Sequence, residues 1–88
     1  MATTYDNKCN ILAEVWLDYR GEVDFNDFVE YCDLGLPLAF SISQNIIESS
    51  PQAEIYINEA FDLLLEALDI KEDSGFDTID DVLMHANK

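Results

Sequence analysis

Residues 49–70 read SSPQAEIYINEAFDLLLEALDI, and their spacing leaves one local structure. Tyr56, Ile57, Ala60, Phe61, Leu64, Leu65 and Leu68 recur in steps of three and four, the period of an α-helix. A narrow polar ridge of Glu54, Asn58, Asp62, Glu66 and Asp69 lies opposite. Ser50 supplies a side-chain cap, and Pro51 falls in the first turn, where a missing N–H costs nothing. A helix of about 18 residues follows, and as the longest it is expected to be the spine of the fold.

The other apolar stripes are also helical. Tyr5, Cys9, Leu12, Val15, Trp16 and Tyr19 form one over residues 4–19, with Thr3 or Thr4 as cap and Gly21 as stop. From Asp24 as N-cap, a second helix turns Phe25, Phe28, Val29 and Cys32 inward and stops at Gly35. LPLAFSISQNII, residues 36–47, has Pro37 in a first-turn position and sets Leu38, Ile42 and Ile46 on one side, with Phe40 and Ile47 nearby. After DIKEDSGFD, an Asp77 or Thr78 cap opens a last short helix over residues 79–86, with Ile79, Val82 and Leu83 to bury. FSISQNII is the one run open to reading as a strand, and no internal repeat is present. The expected fold is all-α: residues 1–88 as a single acidic domain, a compact bundle of four to five short helices.

Charge narrows the function classes. Nineteen Asp and Glu stand against four Lys and Arg, a formal net charge of −15. Such a surface repels nucleic acid and anionic membranes and attracts basic protein surfaces or cations. With 49% hydrophobic residues, the acidity belongs to a folded surface and not to a disordered tail. The opening MATTYDNKCN has neither a basic n-region nor an apolar h-region, and the uncharged residues 34–47 are too short and polar to span a bilayer. A cytoplasmic location with reduced thiols is expected, Cys9 and Cys32 being buried free cysteines.

Two segments approach the calcium-binding EF-hand loop, which needs oxygen ligands at positions 1, 3, 5, 9 and 12 and a Gly at 6. With Gly21 at position 6, Val23, Asp24 and Asp27 fit, but Trp16 falls at position 1 and Arg20 at position 5. The segment DIKEDSGFDTID offers Asp69, Asp73, Asp77 and Asp80, yet Lys71 takes position 3 and Ser74 position 6. Asp-rich helix junctions account for both, so no metal or cofactor is expected, and a degenerate EF-hand stands as the remotest reading. Catalysis has little to build on. His85 is the single imidazole, at the end of the last helix where a partly positive ring suits the dipole, and no phosphate loop, nucleophile elbow or zinc spacing occurs.

The segments NILAEVWLDYRG, YCDLGLPLAF and DTIDDVL resemble stretches of small acidic proteins encoded by tailed phages that infect cyanobacteria. The resemblance extends over most of the chain. It implies a protein made in the cytoplasm of an infected bacterium, an accessory protein that binds host or phage proteins, DNA mimics included. It implies no activity and no site residues.

The function expected from these features is non-enzymatic protein–protein interaction, with itself or with a basic partner surface. For a homodimer the candidate surface is Leu38, Phe40, Ile42, Ile46 and Ile47. For a basic partner it is Asp24, Asp27, Glu30 and Asp33, with Asp18 and Glu22 beside them. That ridge steps about 4.5 Å per three residues. Duplex DNA carries a phosphate about every 1.7 Å of axis, and mimicry of DNA towards a nucleic-acid-binding protein is the alternative.

Overall fold

The computed structural model describes residues 2–19 and 34–85. These form α1 (Tyr5–Glu14), continued by a π-helical turn (Val15–Tyr19), then α2 (Gly35–Ser43), α3 (Pro51–Ala67) and α4 (Ile79–Met84). Among the described residues there is no strand, and the chain is the all-α bundle that its periodicity predicts. No described helix is long and apolar enough to cross a membrane. The expected second helix after Asp24, and the stop at Gly21, lie outside the described residues.

Three starts are fixed by hydroxyl caps. Thr4 accepts from the Asn7 N–H at 3.2 Å, Ser50 from Ala53 at 3.2 Å and Thr78 from Asp81 at 3.3 Å. Each satisfies one donor that the first helical turn leaves unpaired. At α4 the Asp77 N–H also donates to the Asp81 carboxylate, a variant of the capping box.

Two ends share a second device. Asn45 and Asp69 take left-handed backbone, with φ of 60° and 57°. The N–H groups of Asn45 and Ile46 donate back to the Ile42 and Ser41 carbonyls, and those of Asp69 and Ile70 to Glu66 and Leu65. Both are Schellman motifs, built on residues that tolerate this conformation better than most. The first corrects the expected reach of the uncharged helix. α2 ends at Ser43, so Ile46 and Ile47 stand in the turn beyond it, 65% and 43% exposed.

α2 also starts earlier than the sequence predicts, at Gly35, and buries Gly35, Leu36 and Ala39. With about 100° of rotation per residue, Leu38 and Phe40 fall on opposite margins of that buried face, both half-buried. Ile42 packs against the core. The five uncharged candidates therefore form no single outward face.

Ile11, Leu12, Val15, Leu36, Ile57, Phe61, Leu64, Phe76 and Val82 are the largest fully buried side chains, and they belong to one contiguous core. Among the described residues, α1 packs against every other helix, whereas α3 packs on α1 and α2. Among the described helices the centre is thus α1 rather than the longest, α3. Its buried face is wider than the predicted stripe, taking in Ile11 and Ala13 as well as Cys9, Leu12 and Val15. Lys8 ties α1 to α3: its ammonium donates to the Asn58 side-chain oxygen at 3.1 Å and lies 5.3 Å from the Phe61 ring centroid. That is within cation–π range.

Candidate functional site

After Glu14 the helical hydrogen bonding widens to π geometry, a form often found where a helix carries function. The register change leaves Val15 buried and Trp16 half-buried while Leu17, 57% exposed, and Asp18 face outward. Beside this turn lies an open cleft of about 500 Å³ between α1, the end of α2 and the start of α4. Ile11, Ala13 and Ile79 give it an apolar floor; Glu14, Asp77 and Asp80 rim it, with Leu17 at the edge.

The rim is electrostatically crowded. Glu14 is exposed, and it is held above the ordinary glutamate range first by a hydrogen bond with the Asp18 carboxyl, then by slight desolvation, then by the negative charges of Asp18 and Asp80. Acids four apart on a helix repel, and here a third approaches from α4. An arginine or lysine suits such a cleft, its aliphatic stem on the floor and its charge at the rim.

Of the expected basic-partner ridge, Asp18 alone lies among the described residues; Glu22, Asp24, Asp27, Glu30 and Asp33 lie outside them. The structure sets Asp18 beside Glu14; Glu14 and Asp80 are not part of the ridge expected from the sequence, where Asp80 enters only as a position of the calcium-like segment. The signal available was the like-charged pair at i and i+4. The contribution of Asp80 comes from the far end of the chain and has no local signature.

The calcium-like segment 69–80 is put to other uses. Asp69 terminates α3, and Asp80 sits in the first turn of α4. Asp73 accepts from the Thr3 N–H at 2.9 Å, the Thr3 hydroxyl at 2.6 Å and the Gly75 N–H at 3.0 Å. Asp77 accepts from the Asn7 side-chain amide at 3.3 Å. Burial raises the Asp73 carboxyl, but the donors from Thr3 and Gly75, with Lys8 adding a little, outweigh it and hold Asp73 below the ordinary range. Gly75, at φ 88°, closes this Asx-type turn in a conformation that a Cβ would oppose. Among the described residues, no group of three or more His, Cys, Asp or Glu side chains is arranged to hold a metal ion.

His85 ends α4. Its Nδ1 lies 2.8 Å from the Asp81 carbonyl oxygen, which can only accept, so Nδ1 carries the proton. The ring meets Phe76 edge-on at 5.2 Å. Cys9 is a buried free thiol, pushed up chiefly by burial, while Cys32 lies outside the described residues. Comparison with protein-family models, curated proteins and solved structures finds no match.

Proposed function

We propose that this chain is a non-catalytic cytoplasmic binding protein that engages a basic surface of another protein, with the cleft between α1 and α4 as its point of contact. The observation that carries the reading is the crowding of Glu14 by Asp18 and Asp80. Among the described residues that line the cleft there is no lysine or arginine, and carboxylates held together in this way present an electrostatic demand for one from outside. A second copy of a chain with net charge −15 meets that demand poorly, since its own field opposes approach. An accessory role of the kind implied by the resemblance to phage proteins agrees with this reading.

Fluorescence anisotropy of a labelled arginine-rich helical peptide tests it. Glu14→Gln combined with Asp80→Asn is expected to weaken binding about tenfold, or about 1.4 kcal/mol. Equal neutralisation on the α3 ridge, Glu54→Gln with Asp62→Asn, is expected to lower the on-rate modestly. Equal losses from the two pairs would make the surface a general polyanion, and the cleft reading would fail.

A further inference from the structure

The first described residues and the segment joining α3 to α4 meet in one small knot. Thr3 is buried, with 5% exposure, and bonds in both directions: it donates its N–H and hydroxyl to Asp73, and its hydroxyl oxygen accepts from the Phe76 N–H at 2.9 Å. These partners lie 70 and 73 residues away along the chain. Asn7 adds its bond to Asp77 one helical turn on. Residues 70–76 have no helical or strand structure of their own.

Among the described residues α4 has few other attachments. It has six residues, too few to persist as a helix without tertiary support. Among the helices its chief neighbour is α1. Phe76, Ile79 and Val82 are the buried side chains of this region, whereas α1, α2 and α3 share the larger part of the core. Segments with few buried apolar anchors and few backbone hydrogen bonds open below the global unfolding free energy.

We propose that residues 2–4 and the 70–78 segment form a latch, and that opening it releases that segment together with α4 as one unit while α1, α2 and α3 remain folded. The Thr3 hydroxyl is the pin. It joins Asp73 to the Phe76 backbone, so losing either bond loosens the ring of Phe76 from the core and, with it, Ile79 and Val82. Opening would also remove the Asp77, Thr78 and Asp80 wall of the cleft. The latch stands independently of whatever the cleft binds.

Native-state hydrogen exchange on the full chain, read residue by residue by NMR, tests the proposal. In the wild type, the Phe76 and Val82 amides are expected to be less protected than those of Leu64 and Leu65. Asp73→Ala should lower protection at Phe76 and Val82 at least about tenfold. Ile55→Gly, on the exposed side of α3, supplies the decisive contrast. It should lower protection at Leu64 and Leu65 about three- to fivefold and leave Phe76 and Val82 unchanged, because in a latch opening α3 stays folded. Equal protection at the two sets of amides in the wild type, or an equal loss at both in Ile55→Gly, would show one cooperative unit and overturn the latch.

Discussion

Asp73 and Glu14 stand in opposite situations. Asp73 is met by the Thr3 N–H and hydroxyl and by the Gly75 N–H, and its ionised form is stabilised. Glu14 faces other acids, and its ionised form is opposed. The contrast separates two uses of acidity. An acid supplied with donors from its own chain holds the fold together. One that meets further acids among the described residues costs the fold something.

The largest test of this contrast is removal of the Asp73 charge. Asp73→Asn is expected to destabilise by about 1–2 kcal/mol, since bonds to a charged acceptor are strong but this one is partly solvated. Thermal or urea unfolding measures it. Thr3→Val, which keeps the shape and removes the hydroxyl, should cost a similar amount; a neutral outcome for both would place the fold's stability elsewhere.

Acid titration sharpens the contrast through its sign. The folded Asp73 carboxyl lies below its unfolded value of about 3.9, so its stabilisation is complete above that value and is lost as pH falls through the folded one. Glu14 is raised in the fold, so its penalty is absent below its unfolded value of about 4.3 and builds as pH rises through the window up to the folded one. Melting temperature should therefore rise on mild acidification before it falls. Glu14→Gln should flatten the rise, and Asp73→Asn the fall.

Smaller effects follow at neutral pH. Glu14→Gln is expected to stabilise by about 0.2–0.5 kcal/mol, opposite in sign to Asp73→Asn. Asp18→Asn should do the same, and the double variant should gain less than the sum, because each removes the same repulsion. Salt gives the smallest difference: it should raise the melting temperature of the wild type slightly more than that of the Glu14→Gln, Asp80→Asn pair.

What was legible in the sequence is what local chemistry decides. Ser50 could be read as a cap, and Thr4 and Thr78 as one of two candidates each beside Thr3 and Asp77, because side-chain capping is an interaction over three residues, and the phase of α3 because its polar ridge fixes which side is dry. The uncharged run of α2 offered no polar side to set its phase. Leu38, Phe40 and Ile42 looked equivalent to Leu36 and Ala39 until α1 and α3 chose among them. The left-handed Asn45 that stops this helix lacked the usual glycine signal. Thr3 presented itself as a second cap candidate and Asp73 as a metal ligand. Their pairing across 70 residues has no local trace. The cleft likewise joins Glu14 to Asp80 through tertiary structure, and no spacing rule reaches that far.

The central position of α1 has a consequence in time. Of the described helices, α1 is made before those that pack against it, and Ile11, Leu12 and Val15 have no Phe76 or Val82 beside them until residues 76–82 exist. At about 5–20 residues per second, ribosomal synthesis separates the two ends of the Thr3–Asp73 contact by roughly 4–14 s. During that interval the emerging chain carries an apolar helix without its full cover. The net negative charge of the chain then opposes the approach of one nascent copy to another.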